Sequence, residues 1–279
     1  MIFFKIIIRK FFGKNIFLYL RQIYYFMSSN YILSKPIGTK KMYLNLYKKE
    51  IRKNYRKINN YLKKNKRINV NFINNLALLT QISLNKNEIN FQHGKIIYSE
   101  LSKYLINNKK IKKFIICEIG TGKGFSSIIM SKAIYDFKAK ALIYSLDIIP
   151  HNLKIYWNSI SDHLLGKISR SGLLNKYKKF LVNINYINKE SKNFFKNLQL
   201  KRLHFAFIDG DHDYNAAKSD YLSIKSRQQS GDVIIFDDYT PGLFPGVVKL
   251  VKEITKSKIY KTNIIFSSKQ RGYALCYKI

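Results

Sequence analysis

Acidic residues are scarce in this chain: 16 Asp+Glu stand against 51 Lys+Arg, a formal charge of +35. Two short stretches nevertheless concentrate them. FIDGDHDY spans residues 207–214, and FDDY spans 236–239. Each follows an apolar run of strand type. Asp209, Asp237 and Asp238 therefore fall at strand ends, where open α/β sheets place their ligands. Carboxylates brought together without partners repel one another strongly. A hard divalent cation relieves that repulsion, and an all-oxygen donor set suits Mg2+, Ca2+ or Mn2+. His212 follows Asp209 by three positions. Its ordinary pKa of ~6.5 lets it accept a proton at neutral pH. Such a set can deprotonate a hydroxyl polarised by a metal ion. Asp211 and Asp213 have a plainer reading as caps of a helix starting near Tyr214.

A second set is the loop EIGTGKGFSS, residues 118–127. It has the look of a phosphate cradle, but the spacing fails. A P-loop needs GxxxxGK[ST], and here Gly124 follows Lys123. The dinucleotide fingerprint GxGxxG needs Gly at 125, which is Phe. What remains is Gly120, Gly122 and Gly124, preceded by the acid Glu118. An acid beside a pyrophosphate is repelled, whereas beside an ammonium it is favoured. The loop therefore suits a ligand with an amino group and no phosphate. Asp147 ends the next strand, 27 positions after Gly120. An acid at that point binds ribose hydroxyls in doubly wound folds.

The elements that must position these residues follow from periodicity. Apolar runs at 114–119, 141–147, 182–187, 203–209 and 232–238 read as buried strands. Segments of helical type separate them at 125–137, 152–165, around 191–198, and at 214–227. A further helix at 247–257 precedes two strands near 262–267 and 272–278 with no helix between them. Strict alternation implies a doubly wound, mostly parallel seven-stranded α/β sheet with an antiparallel strand at the C-terminal end. Residues 1–90 form a basic, mostly helical extension, and 91–279 the main domain. The loop TPGLFPG, 240–246, sits where a substrate lid belongs.

The E-x-G-x-G-x-G stretch resembles motif I of the class I S-adenosylmethionine (SAM) methyltransferases. The pair D-G-D-H-x-Y and D-D-Y resembles the metal-dependent O-methyltransferases. Within them it is similar to macrocin-type sugar O-methyltransferases and cephalosporin-hydroxylase-like proteins, over roughly residues 94–279. The resemblance implies SAM as cofactor, held by Glu118, Gly120, Thr121, Gly122, Gly124, Asp147 and Ser191, with Glu118 facing its ammonium. It implies a divalent metal, Mg2+ first, on Asp209, Asp237 and Asp238. Asp238 departs from the Asn of catechol-type relatives, and His212 stands where those carry a Lys base. The acceptor implied is a hydroxyl of a sugar, glycan or other small polyol.

The charge raises a rival, a nucleic-acid methyltransferase. The Lys residues are spread along the whole chain together with abundant Asn, Ile and Tyr, which reads as compositional drift. DGDH also replaces the (N/D)-P-P-(Y/F) motif of amino-directed enzymes, so nucleic acid is not favoured. A non-catalytic SAM-binding accessory protein of a surface-glycan pathway has no need for the converging acids. A hydroxylase needs a 2-His-1-carboxylate triad, and none is evident among five His. Cys117 and Cys276 lie in strand-like runs as buried thiols, which fits a reducing, cytoplasmic setting. The N-terminal MIFFKIIIRKFFGKNIFLYLRQIYYF is too interrupted by Lys and Arg for the ~18 uncharged apolar residues of a span. It could lie on an anionic membrane surface, pack on the body of the protein, or pair with a second subunit in a homo-oligomer.

Overall fold

The computed structural model describes residues 36–84, 88–196, 200–268 and 271–279. The N-terminal amphipathic segment, residues 1–26, lies outside the described residues. Among the described residues three α-helices come first: α1 (Lys40–Ile51), α2 (Arg56–Tyr61) and α3 (Val70–Thr80). Helix α4 (His93–Asn107) leads into the sheet. Then follow β1 (Phe114–Ile119), α5 (Phe125–Asp136) and β2 (Ala141–Asp147). Three one-turn helices come next: α6 (Ser161–Leu164), α7 (Arg170–Leu173) and α8 (Lys178–Leu181). The rest is β3 (Ile184–Asn188), α9 (Ser191–Lys196), β4 (Phe205–Ile208), α10 (Tyr214–Lys225), β5 (Val233–Phe236), α11 (Pro245–Lys256), β6 (Tyr260–Ser268) and β7 (Arg271–Lys278). Among the described residues no helix is long and apolar enough to cross a membrane.

The seven strands run in the order β3-β2-β1-β4-β5-β7-β6. Strands β1 to β5 pair in parallel, and β7 pairs antiparallel with both β5 and β6. This is the expected doubly wound sheet with its antiparallel C-terminal end. Side chains alternate across it. Ile116, Ile143, Phe205, Phe207 and Ile235 face one core with α4 and α5, while Cys117, Leu146, Ala206, Ile208 and Ile234 face the other with α10 and α11. Both cysteines are buried and free.

The first core also receives Tyr43, Ile58, Ile73 and Leu76 from α1, α2 and α3, all fully buried. Burying an Ile or Leu side chain contributes about 2 kcal/mol, so these helices are held by the same apolar mass as the sheet. Helix starts follow local chemistry. Asp213 caps α10 by accepting from the Asn215 and Ala216 amides, and Pro245 opens α11 where no amide is needed.

One expected helix, 152–165, is mostly absent. Only α6 is helical there, and the preceding chain is held by an isolated antiparallel bridge between Ile155 and Ile168. Ile155 and Trp157 pack on Leu173 in a small separate core, and Asn158 has a left-handed φ of 50°. Tertiary burial overrides the helical spacing of the apolar residues.

Candidate active site

All the parallel strands end on one edge, and the strand order reverses between β1 and β4. That edge is where an α/β sheet forms its ligand crevice. Backbone hydrogen bonds bring the three loops together there: Gly120 N to Leu146 O at 2.9 Å, Asp209 N to Ile119 O at 2.8 Å, and Asp237 N to Ile208 O at 3.0 Å.

The glycine loop takes a conformation open to few other residues. Gly120, Gly122 and Gly124 have φ of 91°, 53° and 85°. Space around Gly122 is open, whereas a Cβ on Gly120 would fall 1.9 Å from the Asp209 carbonyl oxygen. Gly122 N donates to Asp147 Oδ2 at 2.7 Å, tying the loop to the end of β2. Thr121 is buried, its hydroxyl 2.6 Å from that of Ser145.

Glu118 differs from expectation. Its carboxylate is fully buried behind the loop, and the hydroxyls of Ser126, Ser127 and Ser145 all donate to it. Burial raises its pKa against those three bonds. With its oxygens so occupied, it holds β1, β2 and the start of α5 together. Any effect on an ammonium is through charge alone.

Arg170 carried no signal in the sequence. Its guanidinium is buried and donates to Gly122 O at 2.8 Å and to Asp147 Oδ2 at 3.0 Å. The missed cue is weak: a lone Arg in a poorly patterned stretch, 23 residues from its partner.

Ser191 does not reach the loop through its hydroxyl, which donates to Asp220 Oδ1 on α10. Burial, with the Asp211 charge, pushes Asp220 up to about 6 against that bond. The folded state thus holds a proton that the unfolded chain, with an ordinary Asp near ~3.9, has released. Stability from this group falls as pH rises from about 4 to about 6 and stays lost above. Asp220→Asn is expected to flatten that segment of the stability–pH curve and to stabilise the fold at pH 8 by up to about 3 kcal/mol. Urea melts at several pH values would show it, and an unchanged pH slope would refute it.

The acid clusters converge in part. One ligand atom each from Asp209, His212 and Asp238 lies within 4.8 Å of the others. His212 Nε2 is 2.8 Å from Asp238 Oδ2 and 3.8 Å from Asp209 Oδ1. Its ring stacks on Phe244 of the TPGLFPG loop, with centroids 4.2 Å apart. Asp237 is the exception. Its Oδ2 takes the Arg271 guanidinium at 2.5 Å, and its Oδ1 accepts the Asp238 amide at 2.8 Å. The reason is geometric: adjacent residues leave a strand on opposite sides, and Asp238 turns into the left-handed region at φ 56°. Asp is among the side chains that tolerate this region best.

Arg271, from the start of β7, is the second residue that sequence reasoning missed. It answers part of the electrostatic problem from within the chain, because two cationic side chains face three carboxylates. Burial opposes the charge on Asp237, but Arg271 outweighs it and holds that carboxyl below its usual range. Partial burial, with the Asp237 charge beside it, pushes half-buried Asp209 up to about 7. His212 departs from its ordinary value too. Burial alone would lower it, yet Asp209 and Asp238 raise it to about 10. A protonated imidazole cannot accept a proton, so the base role expected of His212 requires that the flanking carboxylates first be neutralised.

The arrangement fits a cation in one respect and not in another. Asp209, His212 and Asp238 form a compact donor set, while Asp237 is already spent on Arg271. Around them, His212 Nε2, Arg271 Nε and Thr240 Oγ1 are buried without a well-formed hydrogen bond. Buried polar atoms are rarely left so.

Comparison with known proteins bears on the fold. No curated protein matches the chain by sequence. The O-methyltransferase TomG from Streptomyces achromogenes, involved in tomaymycin synthesis and solved with SAM, superposes with a TM-score of 0.53. It is 12% identical, over 80% of this chain and 96% of that one. An O-methyltransferase from Bacillus cereus solved with SAH gives a TM-score of 0.51 at 13% identity, covering 79% and 97%. Residues 117–239, from β1 through the glycine loop and both acid clusters, match a family model described as a methyltransferase domain. The fold is that of the Rossmann-like methyltransferases, and its central residues carry the match to a methyltransferase domain.

Proposed function

We propose that the chain is a SAM-dependent O-methyltransferase, assisted by a divalent cation and acting on a hydroxyl of a sugar or other small polyol. The observation that carries the reading is the juxtaposition at one sheet edge. Gly120 packs directly on the backbone of Asp209, so the glycine loop adjoins the Asp209–His212–Asp238 cluster.

The residues fit SAM. The loop glycines leave open backbone at Gly122, Asp147 supplies a carboxylate for ribose, and the N-terminus of α5 faces the loop with free amides suited to a carboxylate. When bound, SAM supplies an electrophilic methyl group. A divalent ion held by Asp209 and Asp238 would lower the pKa of an acceptor hydroxyl. Mg2+ is the first candidate for the oxygen donors. With an ion there, those carboxylates would no longer hold His212 protonated, and its Nε2 would be free to accept the hydroxyl proton. Phe244 fixes the imidazole plane by stacking. Arg271 keeps Asp237 charged and paired, so it does not compete for that proton. Orientation of the two reactants in the crevice supplies much of the rate.

Titration calorimetry with SAM, repeated with Mg2+ or Mn2+ and on Asp238→Ala, tests this. SAM binding in both proteins, with cation binding lost in the variant, is the expected result. Absence of SAM binding to the native chain would overturn the reading.

A further inference from the structure

Arg170 is the largest fully buried side chain among the described residues, only 1% exposed. It opens the one-turn helix α7, and its amide is anchored to His151 O at 3.2 Å. The guanidinium lies over the rings of Trp157 and Tyr186, 5.9 and 5.7 Å from their centroids. Burying a charge is costly unless it is paired and hydrogen-bonded. Two of its three hydrogen-bond partners are groups assigned to the cofactor, the middle glycine of the loop and the acid at the end of β2; the third, at 3.4 Å, is Ile149 O just beyond that acid.

The detail of that pairing limits what Asp147 can still do. A carboxylate offers about four acceptor positions. Oδ2 of Asp147 takes the Gly122 amide at 2.7 Å and Arg170 at 3.0 Å, and Oδ1 takes the Ile149 amide at 2.9 Å. One position remains, on Oδ1. The neighbouring Trp157 and Tyr186 rings and its bonds to Gly122 O and Ile149 O keep it from swinging aside.

We infer that Arg170 is a positioning residue for the cofactor, holding Asp147 so that it receives one ribose hydroxyl and not two. This rests on the SAM reading above. Ligand discrimination should then be lopsided. The test is calorimetry of the native chain with S-adenosylhomocysteine and with its 2′-deoxy and 3′-deoxy forms. One deoxy form should bind about tenfold more weakly than the parent, the other much like it, since a hydrogen bond to a charged group is at stake. In Arg170→Lys, the single point charge cannot bridge Gly122 and Asp147 as the planar fork does. Its affinity for the parent should fall about tenfold or more, and the lopsidedness should vanish.

Equal losses for both deoxy forms, or loss in neither, overturn the inference. So does an Arg170→Lys chain with native affinity and native discrimination, even if its melting temperature has dropped. Should that variant fail to fold, the deoxy forms on the native chain still decide. No binding of the parent compound to the native chain defeats the cofactor reading itself. Binding without discrimination defeats only the role given to Arg170.

Discussion

Asp209→Ala is expected to lower kcat/KM for hydroxyl methylation by on the order of three powers of ten, while SAM still binds. The two halves of that outcome come from different parts of the residue. The backbone of Asp209 supports the glycine loop: its carbonyl oxygen abuts Gly120 and its amide donates to Ile119 O. Alanine keeps both. The side chain contributes only to the acid cluster, with Oδ1 3.8 Å from His212 Nε2. Removing it takes one of the two carboxylates proposed to hold an ion and one of the two acids that raise the pKa of His212. Mg2+ or Mn2+ binding should be lost together with turnover. Steady-state kinetics of methyl transfer to sugar acceptors, with cation titrations alongside, would check this. Full activity in the variant would sink the role given to the cluster. Lost activity with intact cation binding would move the ion elsewhere.

Gly120→Ala is expected to do more damage than any other single methyl added to the loop. The new Cβ would lie 1.9 Å from the Asp209 carbonyl oxygen and 2.5 Å from its carbon. Both are backbone atoms at the end of a fully buried strand and cannot step aside. A φ of 91° adds strain for any L side chain. Together these should cost about 3 kcal/mol and lower the melting temperature by roughly 10 °C. SAM binding should weaken as well, because the loop can relieve the clash only by lifting away from β4. Gly122→Ala is the control. Nothing lies within 4 Å of its Cβ, and φ of 53° alone costs about 1 kcal/mol. Differential scanning calorimetry of both variants separates the effects. Equal destabilisation would mean that the close approach of the loop to Asp209 is not what Gly120 is for.

The sequence by itself determined a good deal of this protein. Strand positions were legible because a strand buried on both faces must be a short continuous apolar run, as in FIICEI or LHFAFID. Alternation of such runs with helical segments forces parallel pairing, and parallel pairing sends every strand end to one edge. The gathering of Gly120, Asp147, Asp209, Asp237 and Asp238 at that edge follows from the pattern alone.

Only the tertiary structure decided which charges meet. Asp237 and Asp238 are neighbours and chemically identical, and no pattern says which faces the cluster. The left-handed turn at Asp238 settles it, sending Asp237 to Arg271. Arg271 and Arg170 were invisible because each lies far along the chain from its partner, 34 residues in one case and 23 in the other. In a chain with 51 basic residues, none stands out until packing buries it. The same limit explains the missing helix over 152–165 and the occupied carboxylate of Glu118. Periodicity and motif spacing report local preference. Burial and pairing are non-local, and they decide whether a side chain is left to a ligand or taken by the protein itself.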